Sequence, residues 1–141
     1  MPHREKVAWL SLVAMAIGFI PYYAYTAVDL PTDVLPDMPR LSRLAAALIS
    51  QAVVLGIGHL WLWVSNRRES RAPADERDKA IERRALGVAY YVLIAGAVAV
   101  GCFLPFTESG WRIVNSAVGA VVLAEIVHYG VVVWSYRRGI A

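Results

Sequence analysis

Three ionisable side chains stand inside otherwise apolar runs: His59, Glu125 and His128. An ionisable group at membrane depth is costly, which makes it a functional hypothesis by default. Glu125 and His128 are three residues apart and share a helical face. His59 falls at a depth close to that of His128, each in the inner half of its own run. Four chemistries compete for this set. A polar cluster bonded across helices serves assembly alone. A proton or substrate pathway uses Glu125 as the titrating group. Two histidines at one depth hold haem b between them. E-x-x-H supplies two metal ligands from one helix, but di-metal bundles need a second such set and further carboxylates. Glu125 is the sole carboxylate within the apolar runs, so no metal site is expected. No cofactor is expected either, with haem b the one candidate to be tested against geometry.

The elements that position these groups follow from composition. The chain has 141 residues, 58% hydrophobic and 18% charged, with a mean hydropathy of +0.50. A soluble domain averages about 45–50% apolar and about 25% charged, and a chain this short has too little core to hide the excess. Four runs reach the ~20 residues that cross a bilayer, at 7–28, 44–65, 85–106 and 113–136. The first is no cleaved signal peptide, because Tyr22, Tyr23 and Tyr25 stand where small residues would be needed. Of the 14 Lys and Arg, only Arg40, Arg43 and Arg112 fall in the two connections on one side. The remaining eleven flank the termini and the connection at 66–84, which assigns N-in and C-in. The expected fold is all-α, one membrane domain over 1–141, a four-helix bundle of two hairpins. The one cysteine, Cys102, excludes an intramolecular disulfide.

The hairpins carry matching ends. Phe19-Ile20-Pro21-Tyr22 and Phe103-Leu104-Pro105-Phe106 both read aromatic, aliphatic, proline, aromatic. Ser65-Asn66-Arg67-Arg68 and Ser135-Tyr136-Arg137-Arg138 both read Ser, any residue, Arg, Arg. A 2+2 parallel internal repeat explains the match; so do interfacial preferences acting on each helix independently. Small residues four apart, Ala14/Gly18, Ala52/Gly56, Ala97/Gly101 and Ser116/Ala120, are the expected helix contacts. Ala52 and Gly56 share a face with His59, and Ala117, Ala124 and Ser135 with His128, so both histidines are expected to point inward. In the first connection Asp29, Asp33 and Asp37 alternate with prolines that forbid a regular helix, leaving Asp37 as a cap for the second span.

The connection at 66–84 is the longest polar stretch. Asp75 reads as an N-cap with Glu76 and Asp78 in the first turn, Asp75 is spaced to pair with Lys79, and the third helix should run from there into the membrane unbroken. Its net charge of +2 suits anionic headgroups, and no nucleic-acid-reading motif is present. From Asp75-Glu76-Arg77-Asp78 through Arg84-Ala85 and on to Ala89-Tyr90-Tyr91-Val92-Leu93, the chain resembles a family of small bacterial four-helix integral membrane proteins of unknown function. Their central loop carries a D-E-R-D type signature. The resemblance implies no catalytic residues. Members encoded beside small helix-turn-helix regulators imply a cytoplasmic regulatory partner, docked here by Asp75, Glu76, Arg77, Asp78 and Lys79. The functional expectation is therefore a non-enzymatic interaction protein of the inner membrane whose partners are the bilayer, a cytoplasmic regulator and, in one version, further copies of itself, with no nucleic acid. The alternative is a small proton-coupled or haem-binding protein built on His59, Glu125 and His128.

Overall fold

Each apolar run closes its backbone hydrogen bonds within one helix, as a chain crossing hydrocarbon must. The computed structural model of the protein describes residues 3–28, 37–65, 75–108 and 110–139. Within them lie α1 (His3–Val28), α2 (Met38–Ser65), α3 (Glu76–Val98) and α4 (Trp111–Arg138). All four are long and apolar enough to cross a membrane, α3 together with its continuation to Phe106. The end holding the termini and the start of α3 is called inner below, after the charge asymmetry. Asp29, Asp33, Arg67 and Arg68 lie outside the described residues.

The helix starts follow local chemistry. Asp75 accepts the backbone N–H of Glu76 at 2.7 Å and forms a capping box with Asp78, whose carboxylate takes the Asp75 N–H. Asp37 accepts the Arg40 N–H at 3.1 Å and pairs with its guanidinium at 3.3 Å, so it caps α2. The third helix is continuous, but Pro105 has no N–H to give the preceding turn. The ladder there loosens into a π-helical stretch, Ala99–Phe103, and tightens into a 3-10 turn, Leu104–Phe106. α4 ends at Gly139, whose φ of +67° is the left-handed conformation that glycine adopts without strain.

α1 packs on α2, α3 packs on α4, and α1 packs on α4. The helices therefore lie in the contact order α2, α1, α4, α3, with α1 and α4 central. A twofold axis relating the two hairpins would match α1 on α4 with α3 on α2, and no comparable α2–α3 interface forms among the described residues. The matching proline motifs also differ locally, Pro21 lying inside regular α1 and Pro105 in the 3-10 turn.

Close approaches fix which faces meet. A Cβ on Gly18 would lie 2.9 Å from the Ala47 carbonyl oxygen, and one on Gly96 would lie 2.6 Å from the Ala120 Cβ. Glycine at these two points is what lets α1 meet α2 and α3 meet α4. The α2 face turned to α1 carries Leu44, Ala47, Gly58 and Leu62. Ala52 and Gly56, expected at the contact, are exposed instead, and so are Ala97 and Gly101. Gly56 and Gly58 point roughly 200° apart on one helix, so only one can face α1. Two apolar clusters fill the α1–α4 seam. Ala8, Ile81, Ala85, Val132 and Val133 form the inner one, and Phe19, Tyr22, Leu44, Ala47 and Val122 the outer one.

Candidate functional site

The buried positions of α3, Ile81, Ala85 and Ala89, recur every four residues, and the stripe includes the half-buried Asp78 and Glu82 on its inner side. This stripe faces α4 and carries two carboxylates into the seam. His128 lies opposite with only 12% of its side chain exposed. Its Nε2 donates to Oε1 of Glu82 at 3.2 Å, since an ionised carboxylate can only accept. Its Nδ1 stands 4.0 Å from Oε2 of Glu125, one turn back on α4, and its ring stacks on Tyr129. His128 thus sits between a carboxylate of its own helix and one from α3.

One turn nearer the helix start, the Tyr136 hydroxyl donates to Asp78 Oδ1 at 2.5 Å. Arg4 of α1 pairs with Asp78 Oδ2 at 3.3 Å. A hydrogen bond to a charged group is worth about 1.5–3 kcal/mol, with the lower end fitting a carboxylate partly open to water. Asp78 therefore ties three helices together: it closes the cap of α3 and binds both α1 and α4. Beside it Glu5, buried, accepts a pair from Arg137, whose guanidinium lies over the Trp9 ring. A cavity of about 370 Å³ opens between these groups, lined by Arg4, Glu82, His128, Tyr129 and Tyr136 among others.

The expected trio is thus brought together in part. Glu125 and His128 meet, and Ala124 and Ser135 beside them are buried as expected, while Ala117 is exposed. His59 does not join them. It lies exposed on α2, its Nδ1 donating to the Leu55 carbonyl of its own helix at 2.8 Å. The face expected to point inward, Ala52, Gly56 and His59, points away from the other helices. α2 forms no extensive interface with α4 among the described residues, so His59 and His128 do not meet directly. Among the described residues no group of three metal-binding side chains comes together. In the docking segment, Asp75 and Asp78 are engaged within the protein, while Glu76, Arg77 and Lys79 are exposed. The expected Asp75–Lys79 pair is replaced by the capping interaction.

Three participants do not stand out in the sequence. Glu82 read as part of a solvated helix start, and its four-residue spacing from Asp78 was the available signal. Arg4 counts in the sequence only toward the basic N-terminal flank, and Tyr136 only as the variable position of Ser135-Tyr136-Arg137-Arg138. At the outer end, Asn115, which nothing in the sequence singles out, accepts from Tyr22 at its side-chain oxygen and from Tyr23 at its backbone carbonyl.

Comparison with known proteins matches residues 40–140 to a family described as predicted membrane protein (DUF2178). The match takes in α2, α3 and α4 together with the Asp75–Asp78 signature, and the chain belongs to that family. No curated protein and no solved structure matches it.

Proposed function

We propose that this member of the DUF2178 family is a non-enzymatic interaction protein of the bacterial inner membrane, presenting the start of α3 to a cytoplasmic regulatory protein. The observation that carries this reading is the division of labour within Asp75–Lys79. Asp75 and Asp78 lock the first turn through the capping box, and Asp78 is held by Arg4 and Tyr136. Glu76, Arg77 and Lys79 remain on the exposed side. A rigid turn with its charged side chains free costs little ordering on binding. Mixed charge in a fixed order gives a protein partner electrostatic register, and it does not suit nucleic acid.

The test is in-cell photocross-linking. A photoreactive residue at Glu76, Arg77 or Lys79 should yield one and the same soluble adduct, absent from the exposed α2 positions Ile57 and Leu60. The triple charge reversal Glu76→Lys, Arg77→Glu, Lys79→Glu should abolish it without shifting thermal unfolding. Adducts missing from all three positions, or equally strong at Ile57, would overturn the reading.

One observation favours a second reading, a small proton-coupled protein. His128 bridges Glu82 and Glu125 beside a cavity reaching Arg4 and Tyr136. On this reading His59 has no part. Liposomes containing the wild-type protein and an entrapped pH dye would pass protons under an imposed gradient, and those with Glu125→Gln would not. Liposomes that stay tight with the wild-type protein sink it.

A further inference from the structure

A cavity of about 600 Å³ that the proposed function leaves unused lies at the outer end. It is bounded by the last turns of α1, the 3-10 turn after α3 and the first three turns of α4. The π-helical stretch contributes to its shape. Leu104 N–H reaches back to the Ala99 carbonyl, and the N–H groups of Thr107 and Glu108 both fold onto the Leu104 carbonyl. That compact turn brings Leu104, Thr107 and Glu108 into the lining opposite Thr26 and Ala27 of α1.

The polar groups of this cavity are of two kinds. At its rim Arg112 and Glu108 form an ion pair at 2.6 Å, with the Arg112 side chain 55% exposed and Glu108 34%. A pair so placed contributes little to stability, because water screens it. Deeper in, the groups are neutral. The Asn115 side-chain oxygen is occupied by the Tyr22 hydroxyl, which leaves its amide N–H groups as what Asn115 has to offer. Ser116 is half-buried and makes no hydrogen bond to any described residue. The Thr26 hydroxyl donates to the Tyr22 carbonyl, so its oxygen keeps acceptor capacity. Ala27, Leu104 and Gly119 supply apolar wall.

One cation and one anion side by side, with neutral donors and acceptors behind them, match a ligand carrying both charges. A phosphate would exchange Glu108 for itself on Arg112, and a primary ammonium would exchange Arg112 for itself on Glu108. Each side chain keeps an opposite charge throughout, so neither is left unpaired. Asn115 and Ser116 offer donors to phosphate oxygens, and Thr26 an acceptor to an ammonium N–H. A quaternary ammonium has no N–H to offer such acceptors and is recognised instead by aromatic cages. The level is that of headgroups, at the ends of spans marked by Tyr22, Tyr23, Phe106 and Trp111.

We infer that this outer cavity is a binding site for a phosphoethanolamine group, a primary ammonium and a phosphate joined by a short linker, held across Glu108 and Arg112. The source favoured by its depth is the headgroup of a zwitterionic phospholipid; the free phosphomonoester shares the chemistry. The site is independent of the start of α3, so its failure leaves the docking reading standing.

The test is native mass spectrometry of the whole protein released from nanodiscs of equal phosphatidylethanolamine, phosphatidylglycerol and phosphatidylcholine. Wild-type protein should retain phosphatidylethanolamine over the other two by about tenfold, and the Glu108→Gln, Arg112→Gln double variant should retain all three alike. Ser116→Leu, which fills the cavity and leaves the ion pair intact, should lose retention as well. A melting curve matching wild type shows that each variant is folded. A preference that moves to added O-phosphoethanolamine, with no lipid retained selectively, assigns the same site to the soluble source. Equal retention of the three lipids by wild type with no binding of O-phosphoethanolamine, or a preference that survives in both variants, overturns the proposal.

Discussion

The inner and outer ends of the same helix seam are held by different chemistry. At the inner end the bonds are to carboxylates: Arg4 and Tyr136 on Asp78, His128 on Glu82, Arg137 on Glu5. At the outer end they are neutral: two tyrosines of α1 on Asn115 of α4, with Phe19, Tyr22 and Tyr23 in ring contact beneath. These inner-end groups join helices, while Glu76, Arg77 and Lys79 stay exposed beside them. At the outer end the charged pairs, Glu108–Arg112 and Asp37–Arg40, each lie within one segment, and the first borders the outer cavity. On the readings proposed above, the inner end presents a surface and the outer end receives a molecule.

That contrast can be broken by substitution. The largest effect is expected in the apolar part of the inner end, where Ile81 is 1% exposed. Ile81→Ala should cost about 2–5 kcal/mol in denaturant unfolding of the detergent-solubilised protein. A wedge at the close approaches comes next. Gly96→Leu should cost about 1–3 kcal/mol by forcing α3 from α4, whereas Gly56→Leu, with open space around it, should be silent in the same assay. Equal losses would mean that α2 turns a different face to α1.

Smaller effects separate ionic from neutral bonding. Tyr136→Phe should cost about 1.5 kcal/mol, and its cost should shrink in high salt as the Arg4–Asp78 network it joins is screened. Tyr22→Phe should cost about 1 kcal/mol with no salt dependence. A salt response at both ends would erase the distinction drawn here. Smallest is the histidine pair. His128→Ala should cost about 0–1 kcal/mol, because its partner Glu82 is 45% exposed. His59→Ala should stay within about 0.5 kcal/mol of wild type.

Local signals in the sequence carried the helices and their caps. Asp75 and Asp37 announced their helix starts, and the unbroken third helix followed from the apolar run after Arg84. The pairing of faces was less legible. Gly56 and Gly58 offered α2 two alternative contact faces, and the small-residue rule selected the one that carries His59. The choice between them is made by Leu10 of α1, which packs against Gly58, nearly fifty residues away. Glu125 and His128 were legible as neighbours because three residues of helix join them. Glu82 was not, because its partner lies 46 residues further along the chain. The tyrosine–Asn115 bonds span 92 and 93 residues and left no periodic trace.

The inner polar site is built by α3 and α4 around His128, with α2 and His59 outside it. Thiol cross-linking in native membranes tests it most directly, on a Cys102→Ala background. Glu82→Cys with His128→Cys should be joined by a short bifunctional reagent, and His59→Cys with His128→Cys should not. Efficient joining of the histidine positions, with none at 82 and 128, would contradict it.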